Sequence, residues 1–280
     1  VHCAQCHKVD KGCLIYKSLE LPRGGTKMET KSLNCYSTHA PKMEWIIEYF
    51  AQKNDFILNN SLGSQMFSFF KRFLRDAELI DGDIFSDTAE IVEKIGLDNL
   101  TSWGLLLTNL SYSPQINWYI KNINMYELSN KDYITSMLID SGTNERAATD
   151  IFRAFSRFVE LPFSEVGMGY AEKEKSRVTS ITRTPWQNPD PIVVLYSLYK
   201  FAEACGDYYQ FTLTRLLDHD IDSDGVSPTQ IFGLDRETMI KILNGLSINH
   251  PEFINASFNL DLDNITLNSD KSSADVLALF

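Results

Sequence analysis

Four of the five cysteines stand within the first 35 residues, spaced Cys3-x2-Cys6-x6-Cys13-x21-Cys35. A CxxC pair can bite one side of a metal ion, and two later thiolates can complete a closed tetrahedral site. Zn2+ is the expected ion, because His2, His7 and His39 flank the thiols as reserve ligands and this stretch has few apolar residues with which to fold otherwise. A 4Fe-4S cluster also takes four thiolates and stands as the alternative. The competing reading is four free thiols in a reducing compartment.

Other motifs are weaker. Cys3-Ala4-Gln5-Cys6-His7 matches the CxxCH of c-type haem attachment, but haem would leave Cys13 and Cys35 without a role. Asp220, Asp222, Asp224 and Gly225 reproduce the start of an EF-hand loop, yet the twelfth position is Ile231 where calcium needs a bidentate Glu. Gly167-Met168-Gly169 lacks the third glycine of a dinucleotide loop and reads as a plain loop. Cys205 follows an apolar run and reads as a small buried residue, since GxSxG, a P-loop and HExxH are missing from the sequence and no His neighbours it. Arg183-Thr184-Pro185-Trp186 could stack on a partner or simply plug a gap between helical units, and the second reading is favoured.

Those residues need a scaffold, and the composition supplies an ordinary globular one. The chain has 280 residues, 44% hydrophobic and 22% charged, with only 14 Gly and 9 Pro, which removes disorder and low-complexity repeats as global descriptions. No run of about 18 apolar residues occurs, so no helical membrane span is expected and the chain reads as soluble and cytoplasmic. It opens at Val1 with neither Met nor an export signal, and is expected to be part of a longer protein. Residues 1–43 carry seven Lys/Arg against three acids, a charge of +4, so the remainder holds −15 of the net −11. An acidic body of that size disfavours non-specific nucleic-acid binding, which needs a basic face.

The spacing predicts a mainly α protein in three parts: a cysteine-rich metal-binding head over 1–41, a helical domain over 42–163, and a helical, winged-helix-like domain over 164–280. Trp45, Ile46, Tyr49 and Phe50, then Phe69, Phe70, Phe73 and Leu74, form helical stripes. Ser86 caps a helix closed by Gly96, Thr101 caps Trp103 to Leu110, and further helices run from Asn130 to Ile139 and from Asn144 to Val159. Residues 164–188 read as a loop. Asp190-Pro191 starts a helix burying Leu195, Leu198 and Tyr199. Helices at Thr212 to Leu217 and Asp235 to Leu246, a turn at Pro228 to Phe232, and a hairpin around residues 259–264 complete a helix-turn-helix and winged-helix pattern.

Three segments carry a family likeness: Leu19-Glu20-Leu21-Pro22-Arg23-Gly24-Gly25-Thr26-Lys27 after the first cysteines, Asn188-Pro189-Asp190-Pro191 leading to Leu195–Glu203, and Ser227-Pro228-Thr229-Gln230-Ile231-Phe232-Gly233. With them the chain resembles the C-terminal part of long bacterial proteins of the phosphoadenosine phosphosulfate (PAPS) reductase family. The last two segments are also similar to an uncharacterised helical domain found near DNA phosphorothioate-modification genes. The resemblance implies a parent with an N-terminal α/β domain that binds an ATP-like or adenylyl-sulfate nucleotide through a Ser-Gly-Gly loop. This chain has no such loop, so no catalytic residue carries over; only Cys3, Cys6, Cys13 and Cys35 match, as the metal or cluster site that follows the nucleotide domain. The expected role is an accessory region in sulfur metabolism or DNA sulfur modification, partnered with that nucleotide domain. Whether the parent is an oxidoreductase or a sulfurtransferase stays open. The alternative is a non-enzymatic winged-helix-like regulator or scaffold that binds a protein or DNA.

Overall fold

The computed structural model describes residues 32–219, 223–259 and 262–280. The chain divides into two units, Val1–Lys31 and Ser32–Phe280. The boundary expected at 163/164 falls inside the second unit, which is mainly α with small sheets.

Its first half is helical. Its elements run in the order α1 (Met43–Gln52), α2 (Asn54–Asn59), α3 (Ser64–Asp76), β1 (Ile80–Asp81), β2 (Ile84–Phe85), α4 (Asp87–Ile95), α5 (Leu100–Leu110) and α6 (Pro114–Asn122), with β1 and β2 paired as one short antiparallel ribbon. The predicted stripes are core except at Phe69, which is half-buried against His39: Trp45, Ile46, Tyr49 and Phe50 of α1 and Phe70, Phe73 and Leu74 of α3 are buried, and rings meet edge-on, as at Trp45–Phe70 (5.7 Å). Ser86 caps α4 as its type and position require, accepting from Ala89 N. The cap of α5 is Asn99 instead of the expected Thr101: the Asn99 side chain accepts from Thr101 N, while Thr101 Oγ1 donates to Asp190 Oδ2 at 2.8 Å.

The middle contains β3 (Leu128–Asn130), α7 (Lys131–Asp140), α8 (Glu145–Phe158), a 3-10 turn at Pro162–Ser164, β4 (Tyr170–Glu174) and β5 (Arg177–Thr182). Strands β3, β5 and β4 form an antiparallel sheet in that order, so the expected loop over 164–188 is corrected to a hairpin. Its turn uses Lys175 (φ 54°) and Ser176 (φ 90°) where Gly or Asn is the usual residue, which removed the sequence signal for a tight turn.

The last part runs α9 (Pro191–Ala204), β6 (Gln210–Phe211), α10 (Leu213–Leu217), α11 (Pro228–Phe232), α12 (Arg236–Asn249), β7 (Ile254–Asn259), β8 (Leu262–Leu267) and α13 (Ser273–Leu277). Asp190 caps α9 with Pro191 at its first position, as its two-residue signature predicts. The expected hairpin is β7–β8, antiparallel from Ile254↔Leu267 to Asn259↔Leu262, and β6 adds on the far side of β8 to give the order β6-β8-β7. Helix α9 is buried along most of its length and packs on α5, α11, α12 and α13, which makes it the central post of the second half. No helix among the described residues is long and apolar enough to cross a membrane.

Candidate functional site

The cysteine head can be placed only in part. Cys3, Cys6, Cys13, His2 and His7 lie outside the described residues. Cys35 is described and sits at the edge of the helical core, 6% exposed, with its backbone N–H and that of Tyr36 both donating to Gln115 Oε1. Its sulfur lies 3.6 Å from Arg72 Nη2 and 3.5 Å from Ser32 O. Burial pushes the Cys35 thiol up, and the neighbouring Arg72 guanidinium offsets part of that rise. Arg72 in turn grips Asp76, whose Oδ2 accepts from the buried Tyr36 hydroxyl at 2.8 Å. His39 stands apart from this group, its ring 5.7 Å from that of Phe69. Among the described residues, no group of three or more His, Cys, Asp or Glu is gathered as a metal ion would need.

The Arg183–Trp186 segment has a structural role. Arg183 is 2% exposed and places all five of its N–H donors on backbone carbonyls: Nε on Gly167, Nη1 on Ile120 and Ile123, and Nη2 on Gln230 and Ile231, at 2.8–3.1 Å. Desolvation lowers its pKa to about 10, so it remains a cation at neutral pH. Gly167 (φ 129°) and Gly169 (φ 81°) are glycines for this reason: a β-carbon would meet Ile231 O at 2.4 Å in the first case and a Thr182 carbonyl in the second. Trp186 donates its backbone N–H to Phe232 O and rests its ring 5.2 Å from that of Phe232. It plugs the gap between helices, the favoured reading of its sequence. Of the three likeness segments, the one at 227–233 meets this residue pair, and it packs in turn, as α11, on α9 of the segment at 188–203.

Helix α12 buries one face and keeps the other exposed. Asp235 caps it by accepting from Thr238 N, and those hydrogen bonds hold its carboxyl below the usual range. Met239, Ile242, Leu243 and Leu246 are buried, and the helix packs on α9 and β7. Arg236 is spent on an ion pair with Asp263 of the hairpin, Nη2 to Oδ2 at 2.5 Å. A cleft of about 620 Å³ runs between α12 and the Gln187–Ile192 segment that enters α9. That size suits a small ligand or a few residues of a peptide.

No protein-family model matches the sequence, and no curated protein matches it. A crystal structure of magnesium ion-bound SspB is similar to it in fold. The TM-score is 0.64 at 14% identity, covering 89% of this chain and 90% of that one. At that identity the likeness speaks for the fold alone. It covers most of both chains, so the fold is shared by a chain with little sequence in common.

Sequence reasoning missed the cleft because its walls come from two distant segments, each unremarkable alone. The signal that could have found it is Gly245 inside an otherwise regular helix.

Proposed function

We propose that this chain is the accessory C-terminal region of a PAPS-reductase-like protein of sulfur metabolism or DNA sulfur modification. Its cysteine head would bind Zn2+, or alternatively a 4Fe-4S cluster, through Cys3, Cys6, Cys13 and Cys35, and its body would dock protein. The observation that carries the reading is the hub around Arg183 and Trp186. The likeness segments at 188–203 and 227–233 are distant in sequence yet pack on each other as α9 against α11, and the second of them holds Arg183 and Trp186, as parts of one packing unit would. Their residues are packed and hydrogen-bonded within the body, which suits an accessory role for this region with chemistry supplied by a nucleotide domain.

A winged-helix reading of the last part is supported by its element order. Helix α9, β6, helices α10 to α12 and then β7–β8, with sheet order β6-β8-β7, follow the sequence of a helix-turn-helix with an appended wing. In such a unit α12 is the helix that would face a partner. Its exposed charges are few and mixed, and Arg236 is already neutralised by Asp263. With −15 outside residues 1–43, a protein partner fits this surface better than a phosphate backbone.

The test is to titrate ATP and adenylyl sulfate into the uncut protein that contains this chain, and to assay it for sulfite release and sulfur transfer. Nucleotide binding and turnover by the uncut protein, with neither from residues 1–280 alone, is the expected result. A parent without nucleotide binding, or turnover by the 280-residue chain itself, would overturn the proposal.

A further inference from the structure

We propose that the cleft between the Gln187–Ile192 segment and α12 binds a short amphipathic segment of a partner protein, seating one apolar side chain over Gly245 and pairing a carboxylate with Lys241 and a cation with Glu237. This rests on the protein-docking reading given above and names the site and the partner's chemistry.

Gly245 is the first observation. It lies within α12, where glycine costs about 1 kcal/mol against alanine. Neither packing nor backbone conformation asks for it: a β-carbon there would have nothing within 4 Å and would project into the cleft. The glycine therefore keeps a space open. Ile192, Ile242 and Leu246 give that space an apolar floor on which a side chain of the partner can rest.

Charge is the second observation. Glu237 and Lys241 are spaced i, i+4 along α12, the spacing at which a Glu and a Lys on one helix join readily. Both are exposed and both line the cleft, yet no ion pair joins them to each other or to another described residue. Two opposite charges held one helical turn apart, about 5–6 Å, at the rim of an apolar floor complement a segment bearing the reverse pair. Asn188 and Asn249 stand exposed on facing walls, where side-chain amides can both donate to and accept from an extended peptide backbone. Nucleic acid would meet Glu237 and Asp235 at the same rim, which its phosphates disfavour.

The experiment pans random peptides displayed on phage against the whole 280-residue chain, then measures the enriched peptides by fluorescence polarisation. The expected result is a family of peptides in which an apolar residue is flanked by a carboxylate and a cation. Gly245→Leu should weaken their binding at least about tenfold by filling the floor, and Lys241→Glu should do the same, with recovery when the peptide's carboxylate is changed to lysine. Both substitutions lie on exposed or open positions, and thermal midpoints no lower than the parent chain's establish that the variants fold. No enrichment, enriched peptides that bind both variants as they bind the parent chain, or duplex DNA as the ligand those variants lose would each overturn the proposal. None of these outcomes bears on nucleotide binding by the uncut protein, so a failure here is separable from a failure of the accessory-region reading.

Discussion

Trp186 occupies the space that a side chain at Gly104 would need: a β-carbon on Gly104 would stand 2.5 Å from Cζ3 and 2.6 Å from Cη2 of the indole. Val193 Cγ1 closes the same spot from α9, at 3.1 Å. Glycine in the middle of α5 is thus the condition for α5, α9 and the 186 loop to meet. Gly104→Ala should destabilise the body by about 1–3 kcal/mol through overpacking, even though alanine is the better helix former. Urea unfolding would measure this. Combining it with Trp186→Phe should cost less than the sum of the two single changes, because the smaller ring returns the space.

Arg183 is the second fastening. Its guanidinium satisfies carbonyls from α6 and its C-terminal end, from the Gly167 loop and from α11, so three separate segments depend on one side chain. Arg183→Met would leave those buried acceptors without donors and should cost about 3–5 kcal/mol. Arg183→Lys should recover little, since an ammonium offers three donors without the planar fork. Chemical denaturation of the two variants gives the answer; a loss below about 1 kcal/mol in Arg183→Met would refute the fastening role.

At Gly245 the opposite outcome is expected from the same kind of change. Gly245→Ala meets no neighbour and gains helix propensity, so it should stabilise the chain by about 1 kcal/mol and raise the thermal midpoint by a few degrees. A pair of scanning calorimetry traces suffices, and a lower midpoint would show that the cleft is tighter than the geometry indicates.

The cysteine head makes a compositional prediction. Anaerobically purified chain should carry about one zinc ion and no visible colour, as a closed tetrahedral site requires. Cys3→Ser should lower the zinc content, and so should Cys35→Ser if Cys35 gives up its contact with Arg72 to the metal. Iron with matching acid-labile sulfide would favour the cluster instead.

Much of the helical body was legible in the sequence because aromatic stripes and caps are local signals. Ser86, Asn144 and Asp190 each accept from the backbone of the helix they were expected to start. What escaped was non-local or unsignalled. The β4–β5 hairpin turns on Lys175 and Ser176, which carry no turn signature. Asn99 and Thr101 stand two residues apart and either could cap; the choice fell to Asn99 because Thr101 is used by Asp190. Helix α6 carries a start signal in Pro114 at its first position, but its apolar residues are interrupted by Gln115 and Asn117, which hides its period. The role of Trp186 could be weighed from its neighbours, but Arg183 is invisible as a fastening in the sequence, since the carbonyls it binds come from three separate segments of the chain. The cleft beside α12 has the same character, being made by two segments that meet only in the fold.

The claim that the body faces protein and not nucleic acid is tested most directly by fluorescence anisotropy of labelled duplex DNA titrated with the 280-residue chain between 50 and 200 mM salt, a range over which a protein making 6–10 phosphate contacts loses about 10³–10⁵ in affinity. The account predicts only weak binding, in the micromolar range or poorer, with a shallow dependence on salt. Nanomolar binding that falls steeply across that range would contradict it and make the chain a winged-helix-like DNA-binding regulator.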